Sequence, residues 1–220
     1  MRIVSYGSPG AWRPGIETRG HVASLAETAR LAKWSAGDAA ALTSTRALLA
    51  HPVERIAELG AVADEAHEEL ASRGALHPRE VLRIGPPVPD PEKIVCFGLN
   101  YHDHAAEMGS PIPEEPLFFA KFANSLAGPA DDIVPPPHTA KVDYEAELAV
   151  VIGRPGRHIA EADALSHVAG AMVLNDVSAR DLQMANPLWI GGKAIDGFAP
   201  CGPALTLAPA AGDLGALGIR

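Results

Sequence analysis

The chain has 220 residues, 47% hydrophobic and 20% charged, a globular composition that excludes wholesale disorder. Lys and Arg number 18 against 27 Asp and Glu, and the formal charge of −9 argues against nucleic acid or an anionic membrane as partner. Cys96 and Cys201 lie far apart and outside any CxxC, so no disulfide framework or Cys-rich zinc site is expected, and a reducing cytoplasm is the simplest setting.

In chain order, the opening MRIVSYGSPG lacks the apolar run of a signal peptide, and no later stretch approaches the roughly 18 apolar residues of a membrane span. Gly15–Glu17 and His21–Leu25 read as a small hairpin around Arg19-Gly20. Pro52–Ser72 reads as a helix, because Val53, Ile56, Leu59, Ala63, Ala66 and Leu70 recur at spacings of three and four. Pro52 suits its first turn and Gly74 follows its end. Residues 1–85 are therefore expected to form a small N-terminal α+β domain. In GPPVPDP, Gly85–Pro91, the prolines can continue neither a helix nor a central strand, so residues 86–92 are expected to be a linker. Beyond it, Ile94–Leu99, Leu117–Phe122, Tyr144–Ile152 and Val168–Asp176 read as short strands, with helical turns over Ala160–His167. Ile133–His138, with its prolines, reads as a turn or edge. Many short strands with Gly/Pro punctuation predict a β-rich α+β domain over 93–220 and not a doubly wound sheet.

Strand alternation places Asp143, Glu145 and Glu147 on one face, with Glu145 and Glu147 about 7 Å apart at roughly 3.3 Å per residue. Clustered carboxylates repel unless solvated or bridged, and hard oxygens suit Mg²⁺, Mn²⁺ or Ca²⁺. A solvent-facing strand edge explains the same segment equally well. Asp176, at the end of an apolar strand, is either a third ligand or the N-cap of a following helix. In Asn100–Met108, His104 and Glu107 are i,i+3 neighbours if the segment is helical, as a carboxylate orienting a general-base imidazole would be; a surface pair fits as well. A Cys96/His102/His104 zinc site lacks a fourth ligand at a familiar spacing. Arg180 offers a fork for carboxylates and Lys193 a point charge, and Gly191-Gly192-Lys193 is not a P-loop.

The order and spacing of these pieces carry more than any one of them. Lys93–Met108 (KIVCFGLNYHDHAAEM), Phe118–Gly128 (FFAKFANSLAG), Val142–Gly153 (VDYEAELAVVIG), Gly170–Gln183 (GAMVLNDVSARDLQ) and Gly192–Pro203 (GKAIDGFAPCGP) resemble the fumarylacetoacetate hydrolase family in five ordered blocks. The resemblance implies a mixed β-sandwich roll with the site at one end. It implies a divalent cation, Mg²⁺ or else Mn²⁺ or Ca²⁺, on Glu145, Glu147 and Asp176. It implies a His104–Glu107 dyad on a lid helix, Lys193 as a catalytic group, and Tyr101, Arg180 and Gln183 lining or supporting the substrate.

The function implied is hydrolysis of a C–C bond in a small β-diketo or 2-oxo acid, an acylpyruvate or a ring-opened aromatic product. The cation would stabilise an enolate, His104 would activate water, and Lys193 would polarise a carbonyl. A homodimer is expected. The same site would serve a decarboxylase of oxaloacetate-like acids or an isomerase of unsaturated 2-hydroxy acids. Lys193-Ala194-Ile195-Asp196 is a mild variant of the family's Lys-Ser-Phe/Leu-Asp. Family members continue past this point with further strands, so the domain is expected to be incomplete at its C-terminus. A non-catalytic remnant is the rival expectation.

Overall fold

The computed structural model describes residues 1–107, 109, 111–208 and 212–219. Met108, the last residue of the first family-like block, and the terminal Arg220 lie outside the described residues. The N-terminal strands are β1 (Arg2–Tyr6), β2 (Arg13–Thr18) and β3 (His21–Ser24). Arg19 (φ 46°) and Gly20 (φ 78°) form the left-handed two-residue turn that closes β2 onto β3, as the sequence predicts. Three short helices follow, α1 (Leu25–Leu31), α2 (Ala36–Ala41) and α3 (Thr45–Leu49). The expected long helix is two: α4 (Val53–Glu65) starts after Pro52 and buries Ile56, Leu59 and Ala63, and α5 (His67–Ser72) buries Leu70. The chain leaves helical geometry at Ala66 (φ −92°, ψ 22°), which lets Leu70 reach the same core from a new direction. Gly74 (φ 66°) ends the run and β4 (Leu76–Pro78) returns to the sheet beside β3.

β5 (Ile84–Gly85) pairs with β1, and residues 84–88 are buried, with Ser5 donating to the Pro87 carbonyl at 3.0 Å. The Pro-rich stretch is thus packed in place. Next come β6 (Ile94–Gly98), α6 (His102–Glu107), β7 (Leu117–Lys121) and β8 (Leu126–Ala127). β9 (Val142–Asp143), β10 (Ala146–Ile152), β11 (Val168–Asn175) and β12 (Ser178–Ala179) follow, then α7 (Arg180–Ala185), α8 (Ile190–Lys193) and β13 (Ala199–Leu207).

The main sheet runs β10-β11-β13-β1-β2-β3-β4, antiparallel along this path, with β5 added on β1 and β8 parallel on β13. β1 lies between β13 and β2, so strands from the two ends of the chain share one ladder, Ile3 facing Leu205. The core follows the same logic. Ile3, Ile16, Leu25, Leu48, Ile56, Leu59 and Leu70 pack with Ala169, Leu205 and Leu207. Each of these Leu and Ile side chains, fully withdrawn from water, contributes roughly 1.5–3 kcal/mol.

Two expected strands differ. The expected strand over Tyr144–Ile152 begins only at Ala146, as β10 on β11; Val142–Asp143 pairs separately as β9 with β12, and the chain kinks between them, where Glu145 N donates to the Asn175 side chain (3.0 Å). The Ile94–Leu99 strand was expected to be buried, but β6 pairs only with β7 among the described residues, and Val95 and Phe97 are half-exposed. No described helix is long and apolar enough to cross a membrane.

Candidate active site

The kink between β9 and β10 is where the chemistry collects. Glu147 begins the inner face of β10, in line with Ala149 and Val151, which pack into the core. Glu145 sits in the kink. Asp176 follows β11 directly, and its N–H donates to the Glu145 carbonyl at 2.9 Å. Two adjacent strands thus deliver Glu145, Glu147 and Asp176 to one place. Asp176 is 2% exposed and caps no helix, since α7 starts only at Arg180; the N-cap reading gives way to a buried ionic role.

Three cations meet these carboxylates. Lys193, at the last turn of α8 and 1% exposed, donates from Nζ to Glu145 Oε2 (2.6 Å) and Asp176 Oδ2 (3.0 Å). Its ammonium also stands 5.1 Å from the Phe119 ring centre. Lys121, at the end of β7 and equally buried, donates to Asp176 Oδ1 (2.5 Å), the Val177 carbonyl (3.2 Å) and the Lys193 carbonyl. Arg180 donates from Nε (3.0 Å) and Nη2 (2.9 Å) to Asp143 Oδ2, and from Nη1 to Glu145 Oε1 and Gln183 Oε1 (3.1 Å). Arg180 and Gln183 therefore brace the carboxylates from behind.

The charge balance is uneven. Counting Asp143, four carboxylates face three cations, and Glu147 is the one without a cation in contact among the described residues. Burial raises the Glu147 pKa, and the charges of Glu145 and Asp176 push it further, with Lys193 and His104 acting in the opposite sense. Burial would also raise Glu145, but hydrogen bonds and charge from Lys193 and Arg180 outweigh it and hold Glu145 below the usual carboxylate range. Asp143 is held low by its hydrogen bonds from Arg180. Burial lowers the Lys121 pKa against the pull of Asp176. Cys96, on β6 opposite Phe119, is pushed up to about 12 by burial and by Asp176, so it stays a thiol.

The lid residues stand apart. α6 covers 102–107, the short helix that the family resemblance implies, but His104 and Glu107 are both exposed, and no hydrogen bond or ion pair joins them among the described residues. Tyr101 is 38% exposed, and its phenol is raised by burial and by the charges of Glu147 and Asp103.

Sequence reasoning missed Lys121 and Asp143 as functional groups. Lys121 has a readable signal in hindsight: it is the one charge in LFFAKF, on the same strand face as Phe119 and Leu117. Asp143 was placed on the carboxylate face but given no partner; Arg180 supplies it.

Among the described residues no group of three or more His, Cys, Asp or Glu is arranged as a metal cage, because the Lys193 ammonium bridges Glu145 and Asp176. The donor chemistry fits a divalent cation all the same. Glu145 and Asp176 are hard carboxylates bridged by one ammonium, and Glu147, on the neighbouring strand position, carries a repulsion from both that a cation would relieve.

The chain is similar to known proteins in both sequence and fold. The family model described as fumarylacetoacetate (FAA) hydrolase C-terminal matches residues 93–220. Human mitochondrial oxaloacetate tautomerase FAHD2A is 49% identical over 142 residues, covering 64% of this chain and 45% of the relative. The fumarylacetoacetate hydrolase domain-containing protein 2 homolog of Dictyostelium discoideum is 48% identical over 134 residues, 60% of this chain and 44% of that one. The chain thus spans under half the length of these relatives. Among solved structures, fumarylacetoacetate hydrolase from Exiguobacterium antarcticum superimposes at TM-score 0.64 with 28% identity, covering 94% of this chain and 66% of that one. Maleylpyruvate hydrolase from Sphingobium sp. SYK-6, in complex with manganese(II) and pyruvate, does so at 0.65 with 26% identity, covering 97% and 69%. Carboxylates, lysine and fold together with these matches establish that the chain belongs to the fumarylacetoacetate hydrolase family.

Proposed function

We propose that this chain carries the site of a divalent-cation-dependent enzyme that cleaves a C–C bond in a small β-diketo or 2-oxo acid. The observation that carries the reading is the pairing of Glu145 and Asp176 on the buried Lys193 ammonium, with Glu147 on the same face of the adjacent strand and uncompensated by any contacting cation among the described residues. Glu145, Glu147 and Asp176 would hold Mg²⁺ or Mn²⁺, and the cation would supply Lewis-acid stabilisation of charge developing on the 2-oxo acid oxygens. The manganese and pyruvate bound by the maleylpyruvate hydrolase relative support that choice.

The chain's own residues would do the rest. Lys121 fixes one oxygen of Asp176 and Arg180 fixes one of Glu145, so the carboxylates cost little reorganisation when charge develops. Lys193, seated on the helix end, donates a hydrogen bond to the oxyanion formed as the bond breaks. His104 takes a proton from water, Glu107 orients the imidazole, and the hydroxide attacks the distal carbonyl carbon. The electron pair of the broken C–C bond stays on the 2-oxo fragment, which is then protonated. His104 and Glu107 do not touch in this structure, so this step asks their exposed side chains to turn toward each other.

That separation favours a second reading. An isomerase or tautomerase of 2-oxo acids moves a proton between carbon and oxygen and needs no attacking water. The relatives named oxaloacetate tautomerase support it, and oxaloacetate is then the substrate to try first. We further propose a homodimer and a cytoplasmic setting; the two free cysteines support the latter, whereas the human relative is mitochondrial.

The test is turnover of acetylpyruvate, oxaloacetate and a 2-hydroxydienoate side by side, with and without Mg²⁺ or Mn²⁺. Cation-dependent cleavage of acetylpyruvate is expected, and Glu147→Ala should abolish both cation binding and turnover. Activity on oxaloacetate alone selects the second reading. Mg²⁺-dependent activity retained by Glu147→Ala would sink the ligand assignment, and no turnover of any acid would leave a non-catalytic protein.

A further inference from the structure

Two lysines are buried at this site, and they spend their donors differently. Lys121 and Lys193 are each 1% exposed. A buried ammonium is costly unless it is paired and hydrogen-bonded, and it has three N–H donors to place. Those of Lys121 are all used, on Asp176 Oδ1 (2.5 Å), the Val177 carbonyl (3.2 Å) and the Lys193 carbonyl. Lys193 uses two, on Glu145 Oε2 and Asp176 Oδ2, which leaves one N–H free among the described residues. Lys193 can therefore meet a substrate oxygen, and Lys121 has nothing left to offer one.

The contacts of Lys121 close a ring. Asp176 receives Lys121 on one oxygen and Lys193 on the other, and the Lys193 carbonyl returns to the Lys121 ammonium. Lys193 is thus held at both ends, its ammonium by carboxylates and its backbone by Lys121. Its helix needs such a mount. α8 has 4 residues, far below the roughly 12–15 at which an isolated helix is even marginal, so packing sets its place. β7 and the turn after it supply that packing. The Phe119 ring centre stands 5.1 Å from the Lys193 ammonium. Asn124 donates to Asp196 Oδ1 at 2.5 Å, and its carbonyl accepts the Gly197 N–H at 3.1 Å. Lys121 lies between these two in the chain and also holds Asp176.

We propose that Lys121 is a positioning residue that locks Asp176 to Lys193, so that the carboxylate assigned to the cation and the lysine assigned to the oxyanion keep a fixed spacing. The cation half of this inference rests on the function proposed above; the lock itself does not. A buried counter-charge with no positioning role would behave in the opposite way. Its removal would take a like charge away from an incoming divalent cation and strengthen binding. Removal of a lock weakens binding, because the ligand is no longer held in place.

The test is Lys121→Met, which keeps the length of the side chain and removes its donors. Calorimetric titration measures Mn²⁺ affinity. Reductive methylation, read residue by residue by mass spectrometry, measures access to each amine, and the exposed Lys33, Lys93 and Lys141 are internal references. In the variant Lys193 should be methylated about tenfold faster, the effect of one lost charged hydrogen bond on a local opening. Mn²⁺ should bind about tenfold weaker, the low end for losing the partner of a metal ligand. Ile3→Val, in the core at β1, should change neither, which separates a lock from general loosening. Equal or stronger Mn²⁺ binding by Lys121→Met, or an unmoved Lys193 rate, would overturn the assignment. Should that variant not fold, the parent protein decides. Methyl groups on Lys121 and Lys193 should then appear in the same molecules, because opening one frees the other, and independent modification overturns the lock. A parent that binds no Mn²⁺ overturns the cation assignment, and methylation then judges the lock alone.

Discussion

Glu147 is half-buried near two carboxylates already paired with lysine or arginine, and it has no such partner itself among the described residues. Its pKa is raised above the ordinary glutamate value, first by burial and then by Glu145 and Asp176. In the folded protein it therefore takes up a proton at higher pH than in the unfolded chain. A group raised in this way adds stability below its unfolded pKa and loses that contribution as pH rises through the folded value. Without divalent cation, Glu147→Gln should melt higher than the parent at neutral pH. The difference should close as pH falls toward about 4.5, the unfolded value. Added Mg²⁺ or Mn²⁺ should raise the parent's melting temperature and move the variant's far less. Thermal melts across pH, with and without cation, check both statements. A variant no more stable than the parent at neutral pH would mean Glu147 is not strained by its neighbours.

At the level of elements, the site depends on how tightly α8 seats against α7. Gly192 permits it: a Cβ there would lie 2.5 Å from Gln183 N and 2.7 Å from the Ala179 carbonyl. Backbone atoms cannot yield as a flexible side chain can, so Gly192→Ala must push α8 away and carry Lys193 with it. The expected cost is about 1–3 kcal/mol, as for an overpacked core, with loss of cation-induced stabilisation. Urea denaturation and cation-dependent melts measure the two effects; an unchanged urea midpoint would refute the close seating. The hairpin at Arg19-Gly20 and the helices after Pro52 were legible because turn chemistry and apolar spacing are local signals. Strand alternation put Asp143, Glu145 and Glu147 on one continuous strand, but Glu145 lies between β9 and β10. It missed the kink that frees Glu145, because the cause is a side chain thirty residues away, Asn175. The lone charge of Lys121 on an apolar strand was readable, but its role was not, because its acidic partner and both carbonyls arrive from later elements. β13 was missed outright. Pro200, Gly202 and Pro203 in APCGPALTL argue against a strand, yet Pro203 falls where the ladder to β11 is irregular, between the Ala171 and Val173 pairs, and Pro200 lies opposite Ala127 of β8.

Across the whole molecule, the sheet has two unlike ends. β4 closes one end, with α5 packed nearby, while β10 at the other end has a partner on one side only among the described residues. The outer face beside that edge is apolar: Val150 is 44% exposed, Ile152 62% and Val173 64%. Val150 and Ile152 share a face by alternation. Val173 joins them because it pairs with Leu148 across the ladder. A free ladder edge offers unpaired N–H and carbonyl groups to another strand, and an apolar face next to it adds area that water disfavours. The proposed homodimer would use this surface. Sedimentation velocity at micromolar concentration should then find the parent protein as a dimer or larger. Lysine at both outward positions, Val150→Lys with Ile152→Lys, should shift it toward monomer. These side chains already face solvent, so the melting temperature of the dissociated variant should fall only by what the lost interface contributed. A parent protein that sediments as a monomer at every concentration would remove the edge as a self-association surface. An associated protein unmoved by the two lysines would place the interface elsewhere on the molecule.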